Sequence, residues 1–342
     1  MSIPVVDLSG PRNAVVRQID DAATNVGFLT VVGHGVDSRT IDTAWNEVVA
    51  FFGQSHDVKM TAHHPTDANH PYGYHALRQE TLAASLGQPT PPDLKESFNV
   101  APPKHHADPT GAFGGQDRLW PSRPTTLRPA LEAYYDAMEN LAGRILQLMA
   151  EALRLPATHF EPFIDQHLSA LRGLHYPPVT QPAHKGQLRA GVHTDYGTIT
   201  ILLPGAGSGG LEVEHVEGLW IPVQPIDGCF VLNIGDLLAR WTNDRWRSTR
   251  HRVALPATER ARREHRYSIA FFHQPNWHAE VAPIETCVSA ANPARHRTVE
   301  AGPWLQAKFD SAYKTSSPSD PAPDGAGVAA AWSQPAMSSR RS

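Results

Sequence analysis

From about residue 170 to 285 the chain breaks into short β-rich runs: LRGLHYP, HTDYGTITILLP, GGLEVEH, WIPV, CFVLNIG, STRHRV and RYSIAFFHQP. Each is rich in Val, Ile, Leu, Thr and aromatic residues, and turn-forming residues separate them. Many short strands at regular spacing, alternating with turns, predict two sheets closed face to face. The expected fold is mainly β with flanking helices around a double-stranded β-helix, the cupin-like jelly roll.

The rest of the 342 residues is arranged around that core. IPVVDLS reads as a first strand, residues 11–25 as a helix and GFLTVVG as a second strand. His34, between two glycines, reads as a turn histidine bonded to backbone. Ile41, Trp45, Val48, Val49 and Phe52 recur at helical spacing and predict a helix over 38–60. The stretch 61–123 is rich in Pro, Gly and His and predicts mostly loop. Leu127, Leu131, Tyr135, Met138, Leu141, Ile145, Leu148 and Leu153 form the apolar stripe of a long helix over 125–154. The expected division is an N-terminal mixed α/β region (1–123), a helix plus jelly-roll core (124–312) and a disordered tail (313–342). The tail is Ser-, Pro- and Ala-rich and too poor in apolar residues to order itself.

His193 and Asp195 sit two apart in GVHTDYGTITILLP, which places both on one face of a strand. With His251 of RSTRHRV they make two histidines and a carboxylate, a facial set that suits non-haem Fe(II). The chain has 19 histidines, so such pairs also arise by chance. His106 and Asp108 form one in a Pro/Gly-rich loop, and His215 and His278 are each followed two residues on by Glu.

Downstream, Arg266 and Ser268 share a strand face in RYSIAFF. A planar guanidinium beside a hydroxyl is a receptor for a carboxylate. The plainer reading is a salt-bridged arginine on an edge strand.

IPVVDLSG, VGFLTVVGHGV, PYGY, PDLKESFNV, LWP, LHYPP, HTDYG, GGLEV, WIPV, LNIGDLL, STRHRV, RYSIAFF and QPNW follow in one order over residues 1–312. In that order and spacing the chain resembles the isopenicillin N synthase-like, 2-oxoglutarate- and Fe(II)-dependent dioxygenases. The resemblance implies that His193, Asp195 and His251 bind iron and that Arg266 and Ser268 hold the far carboxylate of 2-oxoglutarate. Tyr176 is implied as a further hydroxyl contact. Many relatives carry Asn where Leu174 stands. The bacterial ethylene-forming enzyme is similar at Arg172 and Leu174, which implies that Arg172 helps orient the cosubstrate.

The implied cofactors are Fe(II), 2-oxoglutarate and O2, with ascorbate as a stimulant. The implied reaction is hydroxylation, desaturation or ring formation on a small molecule, with release of succinate and CO2. Asp195 argues against the halogenating variants, which lack that carboxylate. Tyr72, Tyr74, Glu80, Phe98 and Phe272 fall in segments that line the substrate pocket in relatives. Each aromatic reads equally as packing, and Glu80 as a solvated helix carboxylate or as a buried group in need of a cation. Three other readings stay open: an oxidase that uses Fe(II) and O2 without 2-oxoglutarate, an ethylene-forming fragmentation, and a metal-free binding protein.

Composition bounds the rest. A formal net charge of −4 and no clustered basic face predict no nucleic-acid partner, and ERARREHR reads as a solvated turn. No run of 18 apolar residues and no leader pattern predict a protein without membrane attachment. Two cysteines, Cys229 and Cys287, fit a reducing cytoplasm, which Fe(II) also needs. A monomer or weak dimer is expected. Ala-, Arg- and Pro-rich wording suggests a GC-rich genome, such as that of a bacterium making secondary metabolites.

Overall fold

The computed structural model describes residues 2–314 apart from 65–69, 88–89, 107, 112, 181, 206–208 and 216–217. The elements in chain order are β1 (Val5–Asp7), α1 (Arg12–Asn25), β2 (Phe28–Val32), α2 (Ser38–Phe52), α3 (His56–Met60), β3 (Gly73–His75) and β4 (Glu96–Val100). Then come α4 (Leu127–Ala152), β5 (Ala170–Tyr176), β6 (Ala190–His193), β7 (Ile199–Pro204), β8 (Leu211–Glu214), β9 (Trp220–Pro222) and β10 (Phe230–Ile234). The chain closes with α5 (Asp236–Trp241), β11 (His251–Val253), α6 (Glu259–Arg262), β12 (Arg266–His273), β13 (Glu280–Val281), β14 (Val299–Glu300) and α7 (Ala301–Lys314).

Two sheets form the jelly roll. One has eight strands in the order β1-β2-β10-β7-β12-β5-β4-β3, the other four in the order β6-β11-β8-β9. Strands from before residue 123 thus continue the same sheet as strands from the core. Side-chain alternation gives the large sheet two roles. On β12, Ile269 and Phe271 are fully buried on the helix side, where Tyr135 of α4 meets Phe271 edge-on with ring centroids 5.1 Å apart. Arg266, Ser268, Ala270 and Phe272 point the other way, into a cavity between the sheets. The α4 stripe is core, as its periodicity predicts.

Several predicted spans differ. The helix expected over 38–60 is two helices. Gly53 ends the first, and the Ser55 hydroxyl accepts from Val58 N at 3.4 Å to cap the second. PDLKESFNV, expected as loop, contains β4, which pairs with β5 on one side and β3 on the other. Its polar residues are buried because ion pairs satisfy them, so hydrophobic pattern alone hides the strand. HTDYGTITILLP is two strands in different sheets, with His193 ending β6 and Ile199 starting β7. ERARREHR includes the short helix α6, and α7 follows the last strand where no helix was expected. The expected tail begins within α7, and residues 315–342 lie outside the described residues.

Candidate active site

His193 ends β6 and His251 opens β11, directly opposite each other in the antiparallel pair. Asp195 is not on the strand face predicted for it. It sits in the turn that carries the chain from the small sheet to the large one. Gly197 permits that turn: a Cβ there would lie 2.3 Å from the His273 carbonyl oxygen. Ligand atoms of His193, Asp195 and His251 all fall within 4.8 Å of one another. Asp195 Oδ1 is 3.9 Å from His193 Nε2 and 3.7 Å from His251 Nε2.

The hydrogen bonds around this triad fit a divalent metal. His193 Nδ1 donates to Gly191 O at 2.8 Å, and His251 Nδ1 donates to Thr249 O at 3.1 Å. With the proton on Nδ1, each Nε2 lone pair faces the common centre. Thr200 Oγ1 and Asn233 Nδ2 both donate to Asp195 Oδ2, at 2.6 and 2.7 Å, which leaves Oδ1 for a ligand. Burial, and then the charge of His251, push His193 below the usual histidine range, so its ring is neutral. Burial opposes ionisation of Asp195. The two imidazoles, Thr200 and Asn233 outweigh it and hold the carboxyl below its ordinary value. Phe28 abuts His251 edge-on at 5.2 Å and fixes the ring.

A cavity of about 190 Å³ opens on the triad. Arg266, Ser268, Tyr176, Arg172 and Leu174 line it too. Register explains this: Arg266 pairs with Tyr176, Ser268 with Leu174 and Ala270 with Arg172 across β12 and β5. The Arg266 guanidinium lies 4.6 Å over the Tyr176 ring, donates from Nε to Gly209 O at 2.9 Å, and has Nη1 3.4 Å from Ser268 Oγ.

Of the five residues expected at a substrate pocket, Tyr72, Glu80 and Phe272 line this cavity. Tyr74 and Phe98 do not. They face the helices, packed with Phe51, and the Tyr74 hydroxyl donates to Glu96. Both sit one strand position out of phase with the cavity face. Glu80 is buried rather than solvated: Lys95 Nζ is 2.8 Å from its Oε2 and Arg172 Nη1 is 3.3 Å from its Oε1. Lys95 also reaches Asp93 at 3.1 Å, and Asp93 accepts from Gly191 N at 2.9 Å. Arg172 is thereby engaged by Glu80 and stacked on Phe272 at 5.7 Å.

Sequence reasoning missed Thr200 and Asn233, the residues that orient Asp195. It also missed Lys95 and Asp93. Thr200 and Asn233 are distant in sequence and only meet across β7 and β10. His106 and Asp108, the other H-x-D pair, are structural. Asp108 accepts from Thr110, Phe113 and Gly114, and His106 Nδ1 donates to His167 O. His34 Nε2 donates to Gly228 O at 2.8 Å, as a turn histidine should.

Comparison with known proteins places this chain in a family. The 2OG-Fe(II) oxygenase superfamily model matches residues 166–275, and the model of the non-haem dioxygenase in morphine synthesis N-terminal region matches 3–123. Proline hydroxylase buaE of Petromyces alliaceus is 33% identical over 300 residues, covering 84% of this chain and 90% of its own. The chain belongs to the 2-oxoglutarate- and Fe(II)-dependent dioxygenases. Gibberellin 2-beta-dioxygenase 4 of Arabidopsis thaliana is 33% identical over 306 residues, 86% of each chain. A solved structure of a full-length Neurospora crassa protein in complex with alpha-KG matches the dioxygenase with a TM-score of 0.79 at 29% identity, over 90% of this chain and 95% of that one. The dioxygenase uses Fe(II), 2-oxoglutarate and O2 to oxidise a small molecule. No helix among its described residues is long and apolar enough to cross a membrane.

Proposed function

We propose that the dioxygenase hydroxylates a C–H bond of a compact metabolite, with His193, Asp195 and His251 as the iron ligands. One observation carries this reading. Two Nε2 atoms and one carboxylate oxygen converge with their other polar atoms already bonded, on a cavity that also holds the Arg266–Ser268 pair.

In this reading Arg266, Ser268 and Tyr176 hold the far carboxylate of 2-oxoglutarate. The guanidinium is fixed by its bond to Gly209 O and by the Tyr176 ring, so it is set in place before the ligand arrives. Bound iron couples oxidation of the substrate by O2 to decarboxylation of 2-oxoglutarate, and the products are the hydroxylated substrate, succinate and CO2. Asp195 serves as a ligand rather than a base, because both lone-pair directions of Oδ2 are taken by Thr200 and Asn233.

The substrate side of the cavity is bounded by Tyr72, Leu82, Phe113, Leu168, Phe272 and Leu305. These exclude water, and Glu80 with Arg172 gives the wall its polar part. Relatives named as a proline hydroxylase, a homoarginine-6-hydroxylase and a validamycin A dioxygenase support a small polar metabolite as substrate class. The enzyme acts in the cytoplasm as a monomer or weak dimer in this reading.

The deciding experiment is succinate release with Fe(II), 2-oxoglutarate and a panel of small amino acids and alicyclic metabolites. One succinate per hydroxylated product supports the reading. Substrate oxidation with no succinate, or with ethylene in the headspace, overturns it.

A further inference from the structure

Arg189 is fully buried, yet among the described residues it has no carboxylate within ion-pair distance. Its Nη2 donates to the Glu264 carbonyl oxygen at 3.1 Å, while Nε and Nη1 have no hydrogen-bond partner. The Glu264 side chain is turned toward solvent, 3.4 Å from Arg260. Leaving a buried guanidinium with open donors is costly unless a counter-charge is supplied. Elsewhere this chain supplies one: buried Lys95 has both Glu80 and Asp93.

Of the charges acting on Arg189, that of another cation, Arg266, comes first, ahead of the opposing Tyr176 and Glu264 taken one at a time. Glu264, whose carbonyl Arg189 holds, is two residues before Arg266, so the hydrogen bond ties the two guanidinium groups to one turn. Burial, then repulsion from Arg266, push Arg189 down to about 10, which still leaves it charged at neutral pH. Arg266 lines the cavity and Arg189 does not. Arg266 in the wall and Arg189, tied outside it to the turn that leads into the same strand, form a positive centre with no ion-paired carboxylate among the described residues.

We propose that Arg189 is a positioning residue of the cosubstrate receptor, a second buried cation behind Arg266 whose charge selects a dicarboxylic keto acid over a monocarboxylic one. This rests on the assignment of Arg266 and Ser268 to the far carboxylate. Arg189 needs no contact with the ligand, because charge acts through a dry interior over several ångströms. It also holds the strand entry at Glu264, so Arg266 meets the carboxylate at a fixed angle.

The test measures anaerobic binding to the Mn(II)-loaded protein by calorimetry, which requires no turnover. The probes are 2-oxoglutarate and 2-oxopentanoate, the same chain without the far carboxylate. Arg189→Met should raise the Kd of 2-oxoglutarate about tenfold and leave that of 2-oxopentanoate within about twofold. Arg189→Lys, which keeps the charge, should recover most of the loss. Arg189→Gln keeps a donor for the Glu264 carbonyl without charge and should behave as Arg189→Met, which serves if the methionine variant fails to fold. Equal weakening of both probes, or no change in either, overturns the proposal. Arg266→Met gives a reading with Arg189 intact: a residual preference of about fivefold for 2-oxoglutarate is expected, and none at all overturns the role of Arg189. If Arg266→Met binds 2-oxoglutarate as tightly as wild type, the underlying receptor assignment fails instead.

Discussion

His193 and His251 face each other across the β6–β11 pair with ring centroids 4.2 Å apart. Each ring is pinned by a bond from Nδ1 to the backbone carbonyl two residues before it. The pair is therefore set for a metal by strand register and local backbone rather than by side-chain packing alone. His193→Ala, Asp195→Ala or His251→Ala should each abolish turnover and bring bound iron to background in metal analysis, with an unchanged circular dichroism spectrum. Full activity in any one of them would remove that residue from the metal site.

Asn233 supplies one of two hydrogen bonds to Asp195 Oδ2. Asn233→Ala frees the carboxylate to rotate away from the metal. Loss of such an orienting partner costs about 10- to 100-fold in metal affinity. Competition with a fluorescent chelator reads the change, and an unaltered Kd for Fe(II) would show that Thr200 suffices.

Arg266→Lys keeps charge but loses the planar fork. A lost charge-assisted hydrogen bond is worth about 1.5–3 kcal/mol, so half-saturating 2-oxoglutarate should rise about ten- to a hundredfold. KM for the primary substrate should change little. If substrate binding weakens and 2-oxoglutarate dependence does not, the guanidinium grips the substrate instead.

Gly197 leaves no room for a side chain, with the His273 carbonyl at 2.3 Å and the Gln274 amide oxygen at 2.7 Å from a Cβ position. Gly197→Ala must push the turn outward and carry Asp195 with it. A stability loss of about 1–3 kcal/mol is expected in urea unfolding, together with weaker iron binding. Wild-type iron affinity in a destabilised variant would separate the two effects.

Acid stability depends on Glu80. Burial raises its carboxyl, but Arg172 and Lys95 outweigh that and hold it well below the usual range. Its folded pKa is thus depressed relative to the unfolded chain. The stability it contributes is complete above the unfolded carboxylate value, about 4.3, and is lost progressively as pH falls from there through the folded value. Asp93 is raised by burial and contributes with the opposite sign. Subtracting the pH–stability curve of Glu80→Gln from wild type isolates Glu80, and the difference should shrink below about pH 4. A difference independent of pH would mean that Glu80 has the same pKa folded and unfolded, and one that grows as pH falls would mean that its folded pKa is raised.

The sequence alone was enough for the chemistry and for most of the frame. Thr- and Val-rich runs marked the jelly roll, and apolar residues at helical spacing marked α4, because those patterns are local consequences of side-chain alternation and helical pitch. Strand alternation put Arg266 and Ser268 on one face, whereas the pairing of His193 with Asp195 was read from a strand that ends before Asp195. Tertiary structure decided what depends on meeting across sheets. It split HTDYGTITILLP at Gly197, so Asp195 lies on a turn between sheets and not on a strand. It put Tyr74 and Phe98 behind the large sheet, since pairing phase in β3 and β4 is set by neighbours and not by composition. It buried Glu80, Lys95 and Asp93 in one network, which no hydrophobic pattern announces because their burial is stabilised by one another's charge. Arg189 is the extreme of this: its sequence neighbours say nothing, and only the fold ties it to the turn that leads into Arg266.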